Sequence, residues 1–264
     1  MKRKIAKYLG SLLLIILLTS ISAVSFGQYV HFVESGQIEF EKKVNMFAKL
    51  KNRVKDNNAF MQKIYDEYRR TQPQFNTSKA ILNFSKDKSV YEFSGEDKPA
   101  TGFFASDPWL MVKNTIYRDF NTDSVTTVKK VYDEDYVVKD KKQDVLWKIT
   151  NESREIAGYQ CKRANGLILD SIYVVAFFAE EILPSGGPES FSGLPGMILG
   201  LALPHENVTW FATKVELNNQ PPNSAVKMPR RAKQVSRKEL EADLQKSMKN
   251  WGEWGTEAIK AFLL

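Results

Sequence analysis

The stretch from Leu167 to Glu180 constrains the fold more than any other part of the chain. Ile168, Ile172, Val174, Ala176 and Phe178 fall on one side of an extended strand, and Leu169, Tyr173, Val175 and Phe177 fall on the other. A strand that is apolar on both sides must be covered on both, which places it inside a sheet and away from an edge. Most other runs after residue 76 are short and strand-like: Lys79–Phe84, Ser89–Phe93, Thr115–Phe120, Val125–Tyr132, Tyr136–Val138, Val145–Thr150, Ile156–Ala164, Met197–Leu203 and Asn207–Leu217. The β-branched content of Val125 to Val131 favours strand, and Asp133-Glu134-Asp135 and Lys139–Lys142 read as hairpin turns. No stretch alternates strands with helices of about 10–15 residues, which argues against a doubly wound parallel sheet. The expected class is α+β and predominantly antiparallel. It is a single curved sheet or partly open barrel between Tyr29 and Leu217, with an apolar concave face and two or three helices.

Ser35 to Glu41 alternates polar and apolar residues and predicts an early strand, whereas Val44–Val54 fits strand or helix equally. Phe60, Ile64 and Tyr68 recur every four residues beside Met61 and Tyr65, with Asn57 or Asn58 as N-cap and Pro73 beyond the end, which predicts an amphipathic helix. Pro221-Pro222 is read as the end of the sheet region. Beyond it, Ser236 and Glu239 form a capping box. Leu240, Leu244, Met248 and Trp251 then make one face of a helix that ends at Gly252.

The N-terminus carries Lys2, Arg3, Lys4 and Lys7, then 16 uncharged residues from Leu9 to Val24, then Ser25 and Gly27 before Gln28. This is the layout of an export signal cleaved after residue 27. The apolar run is shorter than the roughly 20 residues a membrane span needs, and no Cys near the cleavage site offers a lipid anchor. The division expected is therefore a signal peptide at 1–27, a β-rich domain at 28–220 and a basic tail at 221–264. Removing the leader takes four of the 38 Lys and Arg and none of the 31 acids, so the formal charge falls from +7 to +3. Residues 227–264 hold nine basic and five acidic residues. With a neutral body and a basic tail, the pattern does not support nucleic-acid binding.

Pro184 to Gly196 reads PSGGPESFSGLPG, bracketed by apolar strands. Pro195-Gly196 suits the two centre positions of a type II turn, and Leu194 before proline is held extended. The segment is either a tight corner between buried strands or a shaped rim that touches a ligand or partner. In the second reading Gly186, Gly187, Pro188, Phe191, Gly193, Leu194, Pro195 and Gly196 make the contact. No Gly-x-x-x-x-Gly-Lys occurs, so it is not a phosphate loop.

The run Gly187 to Leu199, centred on Gly193-Leu194-Pro195-Gly196-Met197-Ile198, resembles the signature of the GLPGLI family of exported Gram-negative bacterial proteins, with Met197 in place of the second Leu. The likeness extends to Leu146–Ile149, Ile156–Ala164, Tyr117-Arg118-Asp119, the Gly36–Asn45 strand and Ala176-Phe177-Phe178, the last departing from the usual Ala-Trp-Tyr/Phe. It covers roughly residues 35–217 and implies an exported, β-rich protein with no established activity, associated with outer-membrane transport components. It supplies no catalytic residues.

Other chemistry is thinly represented. The single Cys161 excludes an internal disulfide and multi-Cys zinc sites, and is expected to be a buried small hydrophobe. His31 would be the third residue, able to chelate Cu²⁺ or Ni²⁺ with the terminal amine, only if cleavage fell after Gln28. Glu180-Glu181 point to opposite faces of a strand and suit solvent better than joint acid–base work. Asp133, Glu134 and Asp135 are read as a turn before a Ca²⁺ site. No Gly-x-Ser-x-Gly or His-Glu-x-x-His occurs, and no cofactor or metal is expected. The tail helix is expected to dock on the protein's own sheet; the alternative is a partner or membrane surface met by Arg237, Lys246, Lys249, Trp251 and Trp254. The function expected is a non-enzymatic accessory or binding protein at the periplasmic side of the outer membrane, with an outer-membrane protein as partner. The rivals are a carrier of an apolar ligand and a hydrolase.

Overall fold

The computed structural model describes residues 33–54, 58–95, 104–169, 172–217 and 227–264, all in one compact unit. The expected export signal and cleavage site, His31 and Pro221-Pro222 lie outside the described residues.

β1 (Gly36–Asn45) pairs antiparallel with β2 (Phe75–Phe84) on one side and with β11 (Val208–Leu217) on the other. From β2 the sheet continues through β3 (Lys88–Phe93), β4 (Thr115–Asp119), β5 (Ser124–Val131) and β6 (Glu134–Lys141). A short β12 (Lys233–Val235) ends that wing, parallel to β6. From β11 the other wing runs through β10 (Met197–Leu203), β9 (Ile172–Ala179) and β8 (Tyr159–Ile168) to β7 (Lys148–Ile156). The first strand of the chain thus joins two meanders into one twelve-stranded sheet. β12 and β7 are its two ends and do not meet, so the sheet is open and uncurled, not the curved sheet or partly open barrel expected. Its inner face is covered by helices and by the Gly/Pro segment, which bury apolar surface that a barrel would bury by closing on itself.

Among the described residues five helices stand where two or three were expected: α1 (Met46–Arg53), α2 (Ala59–Thr71), α3 (Pro108–Met111), α4 (Arg237–Met248) and α5 (Gly252–Leu263). α1 comes from the stretch that fitted strand or helix; the Asn45 side chain accepts from the Ala48 N–H and converts β1 directly into helix. α3 is a single turn, capped by Asp107 with Pro108 at its start, too short to show a period. α4 has the expected capping box but stops at Met248, and Gly252 at φ +58° restarts the chain as α5. Trp251 therefore leaves the α4 stripe and is 43% exposed.

The apolar run from Leu167 to Glu180 is also two elements and not one. Ile168 of β8 pairs with Ile172 of β9, and Leu169, just past Ile168, has φ +47°. Its chemistry survived the error: β9 is paired on both edges, with Ile172, Val174, Ala176 and Phe178 buried on one face. Ala157 and Gly158, both at positive φ, likewise turn the expected Ile156–Ala164 strand into the β7–β8 hairpin.

Leu240, Leu244 and Met248 of α4, with Ala258, Ala261, Phe262 and Leu263 of α5 and the terminal Leu264, join the same apolar core as the strands. The tail helix docks on its own domain. Among the described residues no helix is long and apolar enough to cross a membrane.

Candidate functional site

Three cations lie on the buried side of alternating strands. In β1 the inward series is Ile38, Phe40, Lys42, Val44; in β4 it is Ile116, Arg118; in β5 it is Val125, Thr127, Lys129, Val131. An isolated buried charge costs several kcal/mol by order of magnitude unless partners are supplied, and each of the three has them. Lys42 Nζ donates to the Trp109 and Val112 carbonyls at 2.9 and 3.1 Å. Lys129 Nζ donates to the Phe262 carbonyl at 2.7 Å, neutralising the C-terminal end of α5. Burial pulls both ammonium groups down to a pKa of about 8, with the Glu189 carboxylate working in the other direction.

Glu189 belongs to the Gly/Pro segment and is itself buried, at φ +52°. Its carboxylate accepts from Asn114 Nδ2 at 2.8 Å. Burial, aided by the Glu189 charge, drives the Tyr91 phenol well above its usual range. A water-sized space between Lys42, Tyr91, Asn114 and Glu189 completes this polar layer.

The segment 184–196 is held over this layer from all sides. Arg118 donates to the Ser190 carbonyl at 3.1 Å and the Ser185 carbonyl at 3.4 Å, and Trp147 Nε1 donates to the Ser192 carbonyl at 2.9 Å. The Ile198 N–H donates to the Gly186 carbonyl, and the Gly193 N–H to Ser185 Oγ. Gly186, Gly187, Pro188, Phe191, Leu194 and Gly196 are consequently buried, and only Gly193 and Pro195 of the eight candidate contact residues are exposed. The segment is folded down as a plug, with Gly193 and Pro195 left at its surface. Its type II turn is absent: the Gly196 N–H bonds the Leu194 carbonyl across Pro195, a γ-turn, while the Met197 N–H goes to the Ile182 carbonyl. Gly196 is obligatory because its φ is +148° and a Cβ would stand 2.2 Å from the Ala179 carbonyl oxygen.

Beside the plug a cleft of about 230 Å³ opens to solvent, lined by Lys86, Arg118, Phe120, Asp123, Lys142, Leu183, Pro184, Ser185 and Ser192. Arg118 is its buried cation, lying 5.9 Å from the Phe120 ring centroid. Burial lowers the Arg118 pKa to about 10 against the pull of Asp123.

A second polar cluster ties α1 to α5. Asp107 is fully buried and receives Arg53 at 3.0 Å and Lys49 at 3.7 Å; Glu257 bonds both cations as well. Burial pushes Asp107 up despite these cations, whereas for Glu257 their combined pull outweighs burial and leaves it low. Trp254 stacks on the Arg53 guanidinium at 4.5 Å and Trp251 packs edge-on against Tyr132. With each carboxylate held by the same two cations, this arrangement fastens helices and has no exposed acid–base pair. The Arg237 N–H donates to Asp140, while Lys246 and Lys249 are exposed. Trp251 and Trp254 thus both adjoin Tyr132, while Arg237 is tied to Asp140 of β6.

Cys161 is buried, and burial raises its thiol to about 12. Glu180 and Glu181 are both exposed, Glu180 pairing with Lys162 at 2.7 Å. Glu134 pairs with Lys233 at 3.0 Å. Among the described residues no group of three His, Cys, Asp or Glu could hold a metal ion. The buried cations were the candidate-site residues that sequence reasoning missed. Their signal was a Lys or Arg occurring in phase with the apolar positions of a strand.

The structure therefore defines an open, twelve-stranded, mainly antiparallel sheet with a plugged inner face. No family model matches the chain, and no curated protein does. Among solved structures it is similar in fold to PNGF-II in a C2 crystal form, with a TM-score of 0.51 and 13% identity over 83% of this chain. The P21 form of PNGF-II gives a TM-score of 0.48 at 13% identity over 79%. The chain spans 33% of the length of either structure. At this identity the likeness is one of fold alone.

Proposed function

We propose that the protein is an exported, non-enzymatic binding or accessory protein of the Gram-negative cell envelope, and that its contact face is the Pro184–Gly196 side of the sheet. The resemblance to the GLPGLI family motivates the location. The observation that carries the contact face is the bracing of the plug: Arg118, Asn114 and Trp147 each spend a hydrogen bond to hold it. The exposed Gly193 and Pro195 and the cleft beside them are thereby presented on a rigid support, which lowers the ordering cost of binding. The carrier reading has weaker support, since α4, α5 and the plug fill the apolar face.

The test uses the full chain expressed in a Gram-negative host, with a photo-cross-linking side chain at Pro195 or, as control, at exposed Lys63. The expected result is protein in the periplasmic or outer-membrane fraction beginning at Gln28, with a discrete envelope adduct from position 195 and none from 63. A cytoplasmic chain retaining Met1 overturns the location. Equal cross-linking from both positions overturns the contact face.

A further inference from the structure

The cleft beside the plug has the composition of an anion site, and this inference deepens the binding reading above and rests on it. Arg118 is buried, yet the two acceptors it reaches are neutral backbone carbonyls, those of Ser185 and Ser190. Among the described residues no carboxylate lies within ion-pair distance of it. The acid of the cleft, Asp123, is bound instead to Lys142 at 3.1 Å. A buried guanidinium without a counter-charge is costly in the empty fold, and an incoming anion removes that cost.

Two hydroxyls point the same way. Ser192 Oγ is buried, lines the cleft and has no hydrogen-bond partner. Buried polar atoms are rarely left so, and an orphan at a cleft wall marks the place of an absent acceptor or donor. Ser185 Oγ accepts from the Gly193 N–H at 2.9 Å, which leaves its own O–H to donate. Lys86 and Lys142 add two ammonium groups. Three cations against one carboxylate leave the cleft formally at +2. Phe120, Leu183 and Pro184 provide apolar walls, and about 230 Å³ is room for a small headgroup and little more.

We propose that this cleft binds the phosphate of a phosphomonoester, with Arg118, Lys86 and Lys142 meeting the dianion and Ser185 and Ser192 donating to its oxygens. The attached group rests against Phe120 and Pro184. A free sugar phosphate and the headgroup of a phosphorylated lipid present the same chemistry, and the experiment separates them.

The mature chain from Gln28 is titrated calorimetrically with inorganic phosphate and with glucose 1-phosphate at constant ionic strength. In parallel it is sedimented with phosphatidylcholine vesicles with and without phosphatidic acid. Saturable binding of the free phosphates without sedimentation identifies a soluble ligand. Sedimentation that requires phosphatidic acid identifies a lipid headgroup. Lys86→Gln and Lys142→Gln are each expected to weaken binding about tenfold, and Lys63→Gln, outside the cleft, leaves it unchanged. Ser192→Ala supplies a readout that a structural role would not give. It removes an unsatisfied buried hydroxyl, so the protein melts at the same or a higher temperature while phosphate binds more weakly. Absence of saturable binding by any of the three ligands overturns the proposal, as does unchanged affinity in the Lys86→Gln and Lys142→Gln proteins. Either result leaves export and the position 195 cross-link untouched, so the two readings fail separately.

Discussion

Replacing Gly196 by Ala is the most direct probe of the plug. At φ +148° the backbone is in a region that an L side chain adopts at a cost of about 1–3 kcal/mol. The new Cβ would also lie 2.2 Å from the Ala179 carbonyl oxygen, 2.8 Å from its carbon and 3.0 Å from the Glu180 Cα. All three are backbone atoms, and the segment cannot retreat freely because the Met197 and Ile198 N–H groups are bonded to the Ile182 and Gly186 carbonyls. Overpacking against a fixed neighbour adds about 1–3 kcal/mol, for a total of roughly 2–6 kcal/mol out of the 5–15 kcal/mol or so that a domain commands. Gly158→Ala is the internal control. It has a positive φ of +86° but nothing within 4 Å of its Cβ, so only the backbone cost of about 1–2 kcal/mol applies. Urea unfolding of the chain from Gln28 onward, followed by tryptophan fluorescence, should move the midpoint down by about 1–2 M for Gly196→Ala and by less than about 1 M for Gly158→Ala. Equal losses, or a larger one at Gly158, would refute the claim that close approach to β9 makes Gly196 obligatory.

Stability should rise between pH 8 and about 10: Lys42 and Lys129 titrate near 8 when folded against the ordinary 10.5, so the unfolded chain binds more protons there. Each lysine contributes about 2 kcal/mol over that window. Urea midpoints measured against pH should show the rise halved in Lys42→Met, and reversed above pH 10, where the raised Tyr91 makes the folded state the better proton binder. Cys161, buried with its thiol at about 12, is expected not to react with a thiol reagent in native buffer and to react fully in urea. Trp147→Phe removes the bond to the Ser192 carbonyl and should cost about 1–2 kcal/mol. Amide exchange should then quicken in residues 185–193 while β5 and β6 stay protected, and uniform acceleration would count against a local brace.

Strand positions were legible because alternation and β-branched content are local signals. β3, β10 and β11 lie within a residue of where the pattern put them, and the Ser236–Glu239 box opened α4 as read. Turns inside apolar runs were not legible. Leu169 carries the positive φ that splits β8 from β9, and a Leu gives no warning of it. The Asn45 cap of α1 was hidden because the same residues satisfy a strand pattern until the chain must leave the sheet. The candidate site was half visible: Pro184–Gly196 could be singled out, but its Gly and Pro content reads the same for a plug as for a rim.

By itself the sequence determined most of the strand segments, that β9 is interior, where α4 begins and which loop is conformationally constrained. These follow from side-chain period, caps and Gly/Pro chemistry within a few residues. Only the tertiary structure decided that the sheet stays open, that α4 and α5 cover it, that Lys42 and Lys129 lie within the field of the plug's own Glu189, and that Arg118 braces the plug. Those outcomes depend on pairing across long separations, as when β1 joins β11, and on the cost of a buried charge, which exists only once the chain has folded around it.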